Sequence, residues 1–313
     1  MTSFPSLIVA DIGNSRVKYA LWKNVAPRDH IPEESFADPT PDLSLTSGWL
    51  GEITKSLTSS ARWVISSVNR AKTTTLLNIV ASTRPNDVVC VLTLNDIPIE
   101  CQYDFPEKLG IDRVVAAFAA VKRVPPGTPF IVVDVGTAAT VDYVDSHGVF
   151  RGGAILPGAR LVAEALKAKT DALPFVEQFE STATAASASS FQEAILEFAP
   201  DYPATETQKA IRLGMVYSLV GAVTSFYLKT SAVIKKQQGD YAALELVFAG
   251  GDAALTEFHF NRFFDDLTSV YGFQPMKPRT TVIDNLVTNG LHDLTKLLDQ
   301  RCFHTPERLH RVD

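Results

Sequence analysis

Two stretches of this chain run as a strand, break at an Asp-x-Gly and resume as a strand: LIVADIGNSRVKYALW at 7–22 and FIVVDVGTAATVDYV at 130–144. In each, an apolar run ends in an aspartate. Alternation then restarts within a few residues, as Val17, Tyr19 and Leu21 show in the first. The pattern dictates a hairpin. Because it heads each half of the chain, it predicts an α/β protein of two related domains, 1–125 and 126–313. Two copies hint at duplication, and no repeat period of the solenoid kind accompanies them.

The segments between fit that plan. The Pro-, Asp- and Ser-rich stretch 24–47 reads as loop, 49–60 as a helix and RWVISSV as a buried strand. A helix over 72–83, the strand DVVCVLTL and a helix RVVAAFAAVKRV stopped at Pro125-Pro126-Gly127 complete the first half. In the second half GVFRGGAILPG reads as strand and turn, and ARLVAEALKAKT as a helix. Residues 178–205, rich in Ala, Ser, Thr and Glu, read as an irregular excursion. A long helix starts at Thr207, with Ile211, Met215, Leu219, Val223 and Phe226 at helical spacing. The strand ALELVFAGG and helical segments at 253–268 and 283–299 close the chain.

Composition narrows the function classes. At 313 residues and 46% hydrophobic content the chain can bury a large core, near the size at which cores divide. A net charge of −6 argues against bulk nucleic-acid binding. Three scattered cysteines, none in a C-x-x-C pair, predict free thiols in a reducing compartment. The N-terminus lacks a secretory pattern, and no uninterrupted apolar run approaches the about 18 residues that span a bilayer. The expectation is a cytoplasmic protein that engages neither membrane nor nucleic acid. The histidines show no ligand spacing, so His292, His304 and His310 are expected at the surface rather than on a metal.

The two Asp-x-Gly turns are the places for chemistry. Glycine lets the backbone approach a ligand, and Asn14, Ser15 and the turn amides can donate to phosphate. Asp11 suits a hydrated Mg²⁺, and Lys18 returns a positive charge. Asp134, Gly136 and Thr137 repeat the logic. Taken singly, each is also what an ordinary turn uses. The chain has no P-loop and no G-x-G-x-x-G after its first strand, which leaves paired turns as the nucleotide-binding device.

Those turns resemble the acetate and sugar kinase/heat-shock ATPase/actin superfamily, and within it the type III pantothenate kinases. DIGNSRVK resembles the family's first phosphate motif, spanning Asp11, Ile12, Gly13, Asn14, Ser15, Arg16, Val17 and Lys18. Tyr103 followed by Gly110-Ile111-Asp112-Arg113 resembles its substrate segment, and DVGTAATVD its second phosphate motif. GGAILPG, TQKAIRLG and AGGDA follow in the family's order. The resemblance implies ribonuclease H-like (actin-like ATPase) domains, an active site in the cleft between them and a homodimer. It implies transfer of ATP's γ-phosphoryl group to pantothenate, opening coenzyme A biosynthesis, with Mg²⁺ on the nucleotide. Asp112 would be the general base. Tyr103, Gly110, Ile111, Arg113 and Thr207 would contact pantothenate, Thr207 from the partner subunit. Asp134 would bind K⁺ or NH₄⁺, and Thr137, Gly250 and Gly251 would contact ATP.

Three departures stand out. Ile111 replaces the family's usual Ala, Glu206 precedes Thr207, and the 178–205 excursion is long. Thr207 reads equally well as an N-cap, and Asp112–Arg113 as a cap with a solvent ion pair. Gly152 and Gly153 read as packing residues. A non-catalytic nucleotide-binding regulator, or another kinase of the superfamily, would share the paired turns. The Asp112–Arg113 segment is what separates the pantothenate kinase reading from both.

Overall fold

The computed structural model describes residues 6–23, 32, 34–38, 57, 59–176, 202–238, 244–271, 276–298 and 302–305. The helix expected over 49–60 and the excursion as far as residue 201 lie almost wholly outside them. The chain divides into two units, Met1–Arg123 with Asn285–Asp313, and Val124–Asp284. The last segment, expected in the second domain, belongs to the first unit.

The first unit holds a five-stranded sheet of order β3-β2-β1-β4-β5. Its centre is β1 (Ser6–Ile12), flanked by antiparallel β2 (Val17–Lys23) and parallel β4 (Ala61–Ser67). Antiparallel β3 (Glu34–Asp38) and parallel β5 (Val88–Val91) form the edges. The stretch read as loop over 24–47 thus contains a strand. Leu7 to Ala10 are wholly buried, because helices cover both faces of the sheet. Helix α1 (Arg70–Thr83) packs Leu76, Leu77 and Val80 against Ile8, Ala10 and Ile12. Successive strand residues point oppositely, so Leu7 and Val9 face the other side. There α2 (Ile111–Val121) and α6 (Leu286–Thr295) pack on β4, and α6 also on β1.

Helix α6 belongs to this unit because it docks closely on α2. A methyl group at Gly290 would lie 2.9 Å from Val115 Cγ1 and 3.0 Å from Ala119 Cβ. His292, expected at the surface, is only 2% exposed and stacks on Trp22 with ring centres 4.5 Å apart. His304 is exposed as expected, and His310 lies outside the described residues.

The second unit repeats the topology. Central β6 (Phe130–Val135) pairs antiparallel with β7 (Ala138–Val144), which pairs with β8 (Phe150–Pro157). On its other side lie parallel β9 (Glu245–Gly250) and β10 (Thr280–Val282). Outward from β6 the order matches that outward from β1. Both units are therefore ribonuclease H-like: an antiparallel three-strand meander extended by two parallel strands. Helix α3 (Ala159–Lys169) follows β8, and α4 (Thr207–Gln238) and α5 (Ala253–Tyr271) cover the sheet. The core takes Val220 and Val223 from α4, Phe260 and Phe264 from α5, and Val133 and Phe248 from the sheet. Each such side chain contributes about 1.5–3 kcal/mol. By length and composition alone α4 is apolar enough to cross a membrane. Its residues Leu219, Val223, Tyr227 and Ile234 are instead part of this core. Tyr227 is thus buried in its own unit, whereas Tyr217 is 42% exposed.

Candidate active site

In the first unit the phosphate turn is a loop between paired strands. Ile12 faces Val17 across the hairpin, leaving Gly13–Arg16 to turn. The Gly13 amide donates to Arg16 O at 3.0 Å, and a side chain at Gly13 would crowd that oxygen. The Asn14 and Ser15 amides make no hydrogen bond among the described residues. Asp11 is the next-to-last residue of β1 and half-buried; Lys18, opposite it, is half-buried too. Ile12 and Val17 point their side chains into the core, so only their backbone belongs to the turn.

Sequence reasoning missed one participant. Lys72, in the first turn of α1, donates from Nζ to Asn14 O at 2.7 Å and Gly13 O at 3.5 Å. A basic residue just inside a helix capped by Asn69 was the available signal, since acids are preferred there.

The Gly110–Arg113 segment forms the start of α2. Gly110 is the N-cap, and Asp112 sits in the first turn, where the helix dipole favours negative charge. Asp112 is not the cap: its Oδ1 accepts from the Arg113 amide at 2.9 Å. A methyl group at Gly110 would lie 2.6 Å from that oxygen, so glycine leaves room for the carboxylate. Ile111 and Arg113 are each 7% exposed, so Arg113 is packed inward rather than turned to solvent. Tyr103 is half-buried in the loop before α2.

In the second unit Asp134 holds the position in β6 that Asp11 holds in β1. The tighter turn is closed by Gly136 N–H to Ala138 O at 3.1 Å, with Thr137 exposed at its tip. Gly158, ending GGAILPG, donates to Thr137 O at 2.9 Å, and a methyl there would lie 2.0 Å from Gly136 O. Gly250 has φ +95°, and a methyl on it would meet Val135 O at 2.2 Å and Asp134 Oδ1 at 2.7 Å. Gly251 is exposed, with open space around its Cα. The second turn, Gly158, Asp134 and Gly250 are thus one assembly of close backbone approaches. Gly153 is a packing glycine as expected, 1.9 Å being left between a methyl and Val141 O.

Thr207 is exposed at the first position of α4. Glu206 O accepts from Ala210 N at 2.8 Å, so Glu206 holds the cap position offered to Thr207. Among the described residues no three His, Cys, Asp or Glu side chains form a metal cluster. A cation at Asp134 fits only with further oxygen ligands from backbone, water or nucleotide.

A sequence model of the type III pantothenate kinase family matches residues 7–229. The chain belongs to this family. A type III pantothenate kinase of Rhodopirellula baltica is 38% identical over 162 residues, covering 52% of this chain and 50% of that protein. One of Alkalilimnicola ehrlichii is 34% identical over 224 residues, 70% of this chain and 78% of that protein. One of Rubrobacter xylanophilus is 29% identical over 247 residues, 78% of this chain and 86% of that protein. As a type III pantothenate kinase, the chain carries its first turn, Tyr103, Gly110–Arg113, Asp134, Thr137 and Thr207 within the matched stretch. Gly250 and Gly251 lie beyond it.

Proposed function

We propose that this chain transfers the γ-phosphoryl group of ATP to the primary hydroxyl of pantothenate, the first step of coenzyme A biosynthesis, with Asp112 as general base. The observation that carries the reading is the start of α2. There a carboxylate is fixed by a backbone amide, favoured in charged form by the helix dipole, and given space by Gly110. Arg113 and Tyr103 hold the substrate, a guanidinium being suited to pantothenate's carboxylate. Thr207 completes that site from the partner subunit of a homodimer.

The unbonded amides of Asn14 and Ser15 fit phosphate oxygens, and the Gly250–Gly251 turn fits the close approach of adenosine. Thr137 stands at the tip of the second turn to meet ATP. Asp11 would hold Mg²⁺, which would supply charge neutralisation to the transferring group, and Asp134 would hold K⁺ or NH₄⁺. The reaction needs neither membrane nor nucleic acid and proceeds in the cytoplasm, where ATP is made available. The test is ADP release with and without pantothenate, in K⁺ and in Na⁺. Pantothenate-dependent release that requires K⁺ is expected. Release without K⁺ dependence removes the cation role of Asp134, and no pantothenate dependence overturns the kinase reading.

A further inference from the structure

Lys72 lies on α1, outside every motif that carries the proposed reaction. It is 8% exposed, and its ammonium donates only to two neutral carbonyl oxygens, Asn14 O and Gly13 O. Among the described residues it forms no ion pair. The first turn of α1 contains no acidic residue, so the helix dipole also opposes this charge. A nearly buried ammonium without a carboxylate is costly, and a flexible lysine stem is free to carry it to water. It stays inside, against two unfavourable terms.

The geometry of the trans peptide says what it does there. The carbonyl of one residue points opposite to the amide of the next. Drawing Gly13 O and Asn14 O toward α1 therefore turns the amides of Asn14 and Ser15 away from Lys72. Both belong to the amides of the turn that have no partner among the described residues, the third being that of Arg16. Rigid donors all aimed one way, with an unbalanced cation behind them, make a site for a phosphate oxyanion.

We propose that Lys72 is a positioning residue of the phosphate site: it fixes the peptide planes at Gly13 and Asn14 so that their following amides face the nucleotide, and its charge is balanced only when phosphate is bound. The anion's identity as an ATP phosphate rests on the kinase reading; the anion site itself does not.

The experiment compares wild type with Lys72→Met, Lys72→Gln and Lys72→Arg. Melting temperature is read with no ligand, with tripolyphosphate, with MgATP and with pantothenate, at low and high salt. Met keeps the apolar stem and Gln keeps a hydrogen-bond donor without charge, so one covers a folding failure of the other. Wild type is expected to gain melting temperature from tripolyphosphate, less so at high salt. Met and Gln are expected to keep the unliganded melting temperature, to lose most of that gain, and to respond to pantothenate as wild type does. In turnover their KM for ATP rises about tenfold or more, the equivalent of about 1.4 kcal/mol, with KM for pantothenate unchanged. Arg recovers part of both. No tripolyphosphate response in wild type, or an equal response in Gln and wild type, overturns the proposal. So does a loss confined to unliganded stability. A Lys72-dependent tripolyphosphate response in a protein that does not turn over pantothenate keeps the anion site and removes the kinase reading.

Discussion

Asp112 and His259 show what a few ångströms of environment do to a titratable side chain. Asn at position 112 keeps an oxygen for the Arg113 amide, so Asp112→Asn should fold as wild type. A positioned base contributes about 10²–10⁴-fold, and turnover should fall by that much while ATP still protects against heat. Near-normal turnover in a well-folded variant moves the base elsewhere. His259, on α5, is 7% exposed beside a cavity of about 20 Å³ that Asp252 and Thr256 also line. Burial, and secondarily the Arg262 charge, push its pKa down to about 4 from an ordinary 6.5. The unfolded chain therefore binds this proton first on acidification, between pH 6.5 and 4. Stability should decline across that window, by on the order of 3 kcal/mol from this group, and level off below it. Denaturant unfolding at pH 7 and pH 4.5 measures the decline, and His259→Phe should flatten it. An unchanged slope in that variant assigns the acid sensitivity to carboxylates instead.

Strands and helices were legible in the sequence where one local rule dominated. The hairpins at Asp11 and Asp134 announce themselves because a buried apolar run cannot continue through Asp-x-Gly. The helix from Thr207 does so through spacing, and Ile211, Met215, Leu219 and Val223 all proved buried. Strand β3 did not, since a short edge strand in a Pro- and Asp-rich stretch has only β2 to define it. At the candidate site the turn residues and Gly110–Arg113 were visible as motifs. Lys72 was not, because its role depends on β1 and β4 running side by side, Ile12 opposite Ser67, so that α1 starts at the turn. Gly158 lies between these cases. GGAILPG marked a turn, but only the fold shows that its last glycine lets α3 begin against Gly136 O. Sequence motifs name residues that meet a ligand more readily than residues that meet the loop holding it.

The division of the molecule follows from where the chain ends up, not from where it is halfway. The first unit takes α6 from the far end of the sequence because the α2 face at Val115 and Ala119 is apolar and needs a cover. His292 reinforces this by stacking on Trp22, and Asp293 by pairing with Arg123 at 3.3 Å. A chain ending at Asp284 should therefore keep the second unit and lose the first. The two described tryptophans, Trp22 and Trp63, belong to the first unit, so their fluorescence reports it. Trp63 is fully buried with its indole N–H donating to Asp87 at 2.8 Å, and Trp22 is 3% exposed. The truncated chain should thus emit at longer wavelength than the full chain without denaturant, while retaining helical circular dichroism from α4 and α5. Adding residues 285–313 as a separate peptide should shift the emission back. Native-like emission from the truncated chain alone means that β1–β5 with α1 and α2 fold unaided, and that α6 is an attachment to a finished unit.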